Sequence, residues 1–309
     1  MSALRAAVRL LLAAPVTLFA WLVALGGSLL LAPWPRRRSR LRGWAYRFWS
    51  RALCRIFGVR TRTIGTPPRP PFVLVSNHVS YLDILVLGTA VPCVFVAKAE
   101  IDQWPLFGAI SRSVETIFVD RKAKRRLPEV IARIEATLAA HQGVVIFPEG
   151  TSGAGDRLMP FRSPLLELPV RMAHPVHWAA LHYRAPAGAP PTHLAVTWWG
   201  EMPLVPHLWQ LLRLSHVEAT LTFGAEPLLG ADRKQLADAL WSAVSAVFVP
   251  MAERGEIERL ERTRLSDPDQ VPPILRPHRR GGPPPQGTSR LQAEVSPDSK
   301  PSTNGEQES

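Results

Sequence analysis

The feature that most limits this chain is a run of 23 residues without a charge, Leu10 to Ala32 (LLLAAPVTLFAWLVALGGSLLLA). A helix needs roughly 20 apolar residues to cross the hydrocarbon core of a bilayer, so the run is long enough to span one. A cleaved secretion signal would show an apolar stretch of about 7–15 residues ending at a small-residue cleavage site. Here the run meets Pro33-Trp34-Pro35 and then Arg36, Arg37, Arg38, Arg40 and Arg42. That pattern is a retained membrane anchor. Only Arg5 and Arg9 precede the run, so the positive-inside rule leaves the rest of the chain facing the cytosol from the inner membrane. Pro15 and Gly26-Gly27 keep a second geometry open, a segment that dips into the bilayer and returns.

Charge has the same address. The chain has 309 residues and a net charge of +12, yet residues 1–65 hold twelve arginines and no acidic residue, and the remaining 244 hold 25 basic and 25 acidic side chains. A folded nucleic-acid binder carries its basic face on the domain itself, so nucleic acid is excluded as the partner of this neutral body. The segment Leu41 to Phe57 has the pattern of an amphipathic helix. Arg47, Arg51 and Arg55 form one stripe, and Trp44, Phe48, Trp49, Leu53 and Ile56 fill the other side. Trp and Arg together suit the headgroup layer of a membrane; the competing reading is a helix packed on the body with its arginines solvated. Cys54 and Cys93 are too few for a disulfide scaffold, and no Cys/His spacing matches a zinc site, which favours a reducing compartment.

From Pro67 onward short β-rich runs alternate with helical ones. Expected strands are 72–76, 94–97, 116–119, 144–147, 176–181, 194–199 and 219–223. Leu127, Val130, Ile131, Ile134 and Leu138 fall on one face of a helix. Asp232 to Val249 is a second helix, opened by Asp232 and closed before Pro250. Strands apolar on both sides and separated by helices predict an α/β layered fold with a largely parallel sheet, preceded by the helical anchor. The expected division is 1–65 for the anchor and basic helix, 66–264 for the α/β domain, and 265–309 for a Pro-rich tail that is too polar and aperiodic to pack.

Three short blocks carry groups suited to chemistry, each at the carboxyl end of a strand, where α/β proteins build their sites. The first is Ser76-Asn77-His78-Val79-Ser80-Tyr81-Leu82-Asp83. On one regular helix His78 and Asp83 would sit about 140° apart, so they meet only if His78 lies in a loop and Asp83 in the opening turn of a helix. An Asp on one imidazole nitrogen fixes the tautomer and frees the other nitrogen as a general base. The second is Thr116 to Arg121, a buried strand ending in Asp120-Arg121; the guanidinium can grip a phosphate or pair with Asp120. The third, Phe147-Pro148-Glu149-Gly150-Thr151-Ser152, brings a carboxylate, a flexible glycine and two hydroxyls to the same edge, suited to a polyol or phosphate headgroup.

Together the blocks resemble the glycerolipid acyltransferase family, in particular its 1-acylglycerol-3-phosphate acyltransferases. The N-H-x-x-x-x-D signature matches Asn77, His78 and Asp83, the block ending in Arg matches Phe118 to Arg121, and F-P-E-G-T-[RS] matches Phe147 to Ser152. The resemblance covers about Pro71 to Phe223. Two positions depart from it: Glu115 stands where the second block opens with Gly, and Trp178 replaces the second Pro of a Pro-apolar-x-Pro block beginning at Pro175. The resemblance implies transfer of a fatty acyl group from acyl-CoA or acyl-acyl carrier protein to the hydroxyl of a lysophospholipid, 1-acylglycerol 3-phosphate before others, to give phosphatidic acid. His78 would take the hydroxyl proton, steadied by Asp83. Asn77, Arg121, Glu149, Gly150, Thr151 and Ser152 would bind substrate.

Neither a metal nor a cofactor is required, since a thiolate leaves readily; the partners are a lysolipid acceptor, the acyl donor and membrane lipids. A phosphate-free acceptor such as lyso-ornithine lipid is the alternative within the class. A lysolipid hydrolase or an inactive lipid-binding protein is the alternative outside it. Ser80 lacks the glycine-flanked elbow of a hydrolase nucleophile. His174, His177 and His182 read as packed or surface histidines, and Trp198, Trp199 and Trp209 as core or interface anchors.

Overall fold

The computed structural model describes residues 2–103, 107–120 and 124–276. Two long helices open the chain, α1 (Ser2–Leu30) and α2 (Pro35–Phe57), and pack along each other as a hairpin. Pro35 starts α2, where a missing N–H costs nothing, and Gly58 ends it in the left-handed conformation at φ 74°, which glycine adopts without strain. The remaining elements are β1 (Val59–Ile64), β2 (Phe72–Ser76), α3 (Leu82–Ala90), β3 (Cys93–Lys98), α4 (Phe107–Ser113), β4 (Ile117–Val119), α5 (Leu127–Ala139), β5 (Gly143–Ile146), α6 (Glu167–Arg171), β6 (Val176–Arg184), α7 (Thr192–Ala195), α8 (Leu204–Arg213), β7 (Val217–Phe223), α9 (Arg233–Ser245) and α10 (Arg254–Ser266). The seven strands form one sheet in the order β1-β7-β6-β2-β5-β3-β4. Every neighbouring pair is parallel except β6–β7. The expected largely parallel α/β architecture is the one observed.

Alternation along β2 explains the layers. Phe72 and Leu74 point into a core shared with Tyr46, Leu53 and Phe57 of α2, Leu85 and Val86 of α3, and Leu211 and Leu212 of α8. Val73 and Val75 point to the opposite face, against Val130, Ile131, Ile134 and Leu138 of α5 and Leu236 and Leu240 of α9. A strand buried on both sides must be apolar throughout, and all five residues of β2 are buried. The periodic face expected for α5 and the Asp232 N-cap of α9, which accepts from the Lys234 and Gln235 backbone N–H groups, are both present.

Four expectations change. Residues 59–64, expected within the anchor segment, are strand β1, hydrogen-bonded to β7 at the sheet edge. Five of the six are exposed, so no apolar run announced the strand. Residues 194–199 are no strand. They hold the end of the short helix α7 and its exit, and the Thr197 hydroxyl and Trp199 indole both donate to the His193 carbonyl at 3.2 and 2.7 Å, a local fold that side-chain hydrogen bonds favour over a ladder. The boundary at 264 falls too early: Val271, Ile274 and Leu275 are buried with Ile257, Trp199 and Met202, so packed structure reaches 276, and 277–309 lie outside the described residues. Finally, α2 does not lie free at a membrane surface. Its Tyr46, Ser50, Leu53, Cys54 and Phe57 face is buried, while Trp44 and Phe48 remain exposed, stacked on each other at 5.6 Å.

Arg9, counted above among the charges flanking the anchor, is instead buried. Its guanidinium donates to the carbonyls of Leu212, Leu214 and Ser215 at 2.8–3.0 Å. Those are the end of α8 and its exit, where helix carbonyls lack partners and the dipole favours a cation. Arg5 donates to Arg213 in the same way at 3.1 Å. The first helix is therefore fastened to the body by its own cations.

Candidate active site

Parallel pairing of β2 with β5 puts the loops after both strands side by side at one sheet edge. The first loop holds His78, and the second begins at Phe147. His78 Nδ1 lies 2.7 Å from Asp83 Oδ2. As expected, the pair forms because the loop 77–81 turns into α3 and Asp83 occupies the first helical turn. Asp83 is fully buried, and its two oxygens accept only from donors: Oδ2 takes the Val79 and Ser80 backbone N–H groups at 2.8 and 3.1 Å, and Oδ1 takes the Tyr183 hydroxyl at 2.7 Å. An acceptor so placed makes Nδ1 the protonated nitrogen of His78 and leaves the Nε2 lone pair free. The His78 side chain is 23% exposed while Asp83 is at 0%, so the imidazole opens to the outside and its partner does not.

The second loop grips the first by its backbone. Glu149 Oε1 accepts from the His78 N–H at 2.7 Å, and Oε2 from the Met159 N–H at 3.0 Å. The Gly153 N–H donates to the His78 carbonyl at 2.9 Å. Both main-chain polar groups of His78 are thus held by residues 149–153. Gly150 sits at φ 78°, a conformation that a side chain would strain. Ser152 is buried and Thr151 half-buried on the same loop. The His78 ring stacks on Phe147 with centroids 4.1 Å apart, and Phe147 stacks on Phe95. Burial outweighs the two N–H donors and pushes Glu149 up to about 8.

Asn77 faces the other way. Its side-chain amide donates to the Leu181 carbonyl at 2.9 Å and its oxygen accepts from the Leu181 N–H at 2.7 Å, which extends the β2–β6 ladder through a side chain. Ser80 is fully buried and donates to the Val196 carbonyl at 2.8 Å. That hydroxyl is engaged away from His78, which disfavours a serine nucleophile. The Val79 carbonyl takes the Trp198 N–H at 2.8 Å, so the misassigned segment 194–199 forms a wall beside the loop.

Strand β4 ends at Val119 on the same edge as His78, three strand spacings or roughly 14 Å along the sheet. Arg121 itself lies outside the described residues. Glu115, at φ 60°, turns its carboxylate to Arg42 and, at 3.9 Å, to Arg38, and accepts from Gln142 at 3.4 Å. No group of three His, Cys, Asp or Glu side chains with the geometry for a metal ion occurs among the described residues.

Sequence reasoning missed Tyr183. Its only signal was a tyrosine inside an otherwise apolar strand, where a buried hydroxyl needs a partner.

Comparison with known proteins agrees with the fold. The chain is 34% identical over 238 residues to a lyso-ornithine lipid O-acyltransferase from Brucella abortus, an overlap covering 72% of this chain and 89% of that protein. It is 29% identical over 190 residues to a 1-acyl-sn-glycerol-3-phosphate acyltransferase from Neisseria gonorrhoeae, 60% of this chain and 73% of that one. The crystal structure of a 1-acyl-sn-glycerophosphate acyltransferase from Thermotoga maritima superposes with a TM-score of 0.56 at 19% identity, over 84% of this chain and 98% of that one, and so shares the fold. The model of the family described as Acyltransferase matches residues 59–181, from β1 through both loops of the site into β6. The chain belongs to the acyltransferase family.

Proposed function

We propose that this acyltransferase esterifies the free hydroxyl of a lysolipid at the membrane surface, with His78 as general base and acyl-CoA or acyl-acyl carrier protein as donor. The observation that carries the reading is the His78–Asp83 contact at 2.7 Å, with Nδ1 committed and the ring part-exposed. His78 Nε2 takes the acceptor hydroxyl proton as that oxygen attacks the thioester carbonyl. The tetrahedral intermediate then collapses, the C–S bond breaks, and the thiolate leaves with the proton that the imidazolium held. Asp83 supplies a fixed negative charge to the imidazolium throughout. The chain supplies a way to meet its substrates: α1 is long and apolar enough to cross a bilayer, and Leu4, Leu11, Leu18, Leu22, Leu29 and Leu30 face outward. We place the body on the cytosolic side of the inner membrane, as the arginines after α1 favour.

For the acceptor we favour a phosphate-free lysolipid, lyso-ornithine lipid, over lysophosphatidic acid, reversing the order that the motifs alone suggested. The Brucella abortus relative with that activity matches at 34% identity over 89% of its length, against 29% over 73% for the Neisseria gonorrhoeae enzyme. Glu115 also pairs with Arg38 and Arg42, so two cations near the phosphate block already have a carboxylate. The second reading, lysophosphatidic acid, is favoured by the Arg121 position in that block.

The full-length protein in detergent micelles, given labelled acyl-CoA or acyl-acyl carrier protein with each lysolipid in turn, separates the two. Acylation of lyso-ornithine lipid at least tenfold faster than lysophosphatidic acid supports the choice; the reverse ratio overturns it. Release of free fatty acid from a lysolipid with no donor present would mark a hydrolase instead.

A further inference from the structure

The Asp83 carboxylate faces two ways. Oδ2 serves the loop, taking His78 Nδ1 and two backbone N–H groups. Oδ1 points to β6, where the Tyr183 hydroxyl donates to it at 2.7 Å. Both residues are enclosed, with Asp83 at 0% and Tyr183 at 1% exposure. Leu181, two residues earlier and on the same side of the strand, carries the two-way bond to Asn77. β6 therefore holds both ends of the segment that presents His78.

A ring that only filled volume would not need its oxygen aimed at a carboxylate. A hydroxyl so aimed does two things. It fixes the carboxylate rotation, so that Oδ2 stays in line with the imidazole, and it draws negative charge toward Oδ1.

We propose that Tyr183 is a third, positioning member of the His78–Asp83 pair, setting the orientation and effective charge of the carboxylate that steadies the imidazolium. This rests on the proposed role of His78 as base. Burial and the adjacent Asp83 raise the phenol well above its ordinary value, so it stays a donor at any working pH. The other titratable groups facing this cluster are Glu149 on the loop after β5 and Cys54 on α2. Burial pushes Glu149 to about 8 and Cys54 to about 12.

The test compares full-length wild type with Tyr183→Phe, using acyl-CoA and whichever of lyso-ornithine lipid and lysophosphatidic acid is acylated. We expect kcat to fall about tenfold with both KM values within about twofold. Without the phenol the carboxylate charge concentrates toward His78, so the acid limb of kcat/KM moves up by about half a pH unit. In an Asp83→Asn background the Phe substitution should cost no more than about twofold, because Tyr183 acts through Asp83. Placing 3-fluorotyrosine at 183 alone keeps the shape and strengthens the donor, and should move the acid limb down. That variant decides the matter if Tyr183→Phe does not fold.

A Tyr183→Phe enzyme with wild-type kcat and pH profile and only a lower Tm overturns the proposal. So do losses that add fully to Asp83→Asn, or an acid limb indifferent to fluorination. If His78→Ala keeps its activity, the assignment of the base has failed. If His78→Ala is dead while Tyr183→Phe is unaffected, only the role of Tyr183 has failed.

Discussion

In α1 the buried apolar positions are all alanines, Ala6, Ala13, Ala20 and Ala24, with Arg9 buried beside them, while Leu11, Leu29 and Leu30 are 72–79% exposed. In β2, one core away, Phe72, Val73, Leu74 and Val75 are all at 0%. Small residues inside and large ones outside is the arrangement of a helix whose outer surroundings are as apolar as its side chains. Large residues inside is the arrangement of a domain in water. The two regions also bury charge differently. Arg9 is sheathed by carbonyls at the end of α8 and joins the parts. Asp83 is sheathed by N–H and O–H donors and holds the His78 loop. Hydrophobicity alone does not separate the two regions; the side on which the large residues stand does.

The junction between them can be broken first. Deleting residues 2–65 removes β1 from the sheet and Tyr46, Leu53 and Phe57 from the main core, so we expect no cooperative thermal transition by circular dichroism. Deleting 2–32 keeps β1 and α2; that protein should retain a transition but no longer sediment with anionic vesicles. Equal loss of folding in both deletions would mean that α1 is as much core as β1.

The next effect is a pH dependence at the site. Burial raises Glu149 from the ordinary carboxyl value of 4.5 to about 8 in the folded protein. Its sign is that of a raised group: the stability present below about 4.5 is lost as pH rises through about 8. Between pH 5 and 9 wild type should therefore lose Tm relative to Glu149→Gln, which cannot ionise. Parallel Tm curves would show that Glu149 does not change protonation in this window.

The smallest effect expected is at Arg9. Arg9→Met leaves the Leu212, Leu214 and Ser215 carbonyls without that donor, at a cost of about 2 kcal/mol read from denaturant unfolding. An unchanged midpoint would remove the clasp between hairpin and body.

What the sequence revealed, and what it hid, follows distance along the chain. The β2 and β5 runs, the α5 stripe and the His78–Asp83 turn are local patterns spanning a dozen residues or fewer, and they were legible. β1 was not, because an exposed edge strand reads VRTRTI with no apolar face to mark it. Residues 194–199 misled for the opposite reason, since burial of Ala195, Val196 and Trp199 mimics a strand. Asn77–Leu181 and Tyr183–Asp83 join residues 104 and 100 positions apart, and only the β2–β6 pairing brings them together. The hydroxyl and carboxylate types in the third block were legible too, but the grip of Glu149 on the His78 backbone was not.

In the proposed reaction His78, held by Asp83, removes the proton from the attacking hydroxyl. Single-turnover transfer from labelled acyl-CoA or acyl-acyl carrier protein to the preferred lysolipid tests it most directly, with wild type and His78→Ala compared at equal occupancy. With His78 as the base, the rate should fall about 10²–10⁴-fold with acceptor binding retained. A His78→Ala enzyme that transfers the acyl group at the wild-type rate would contradict it.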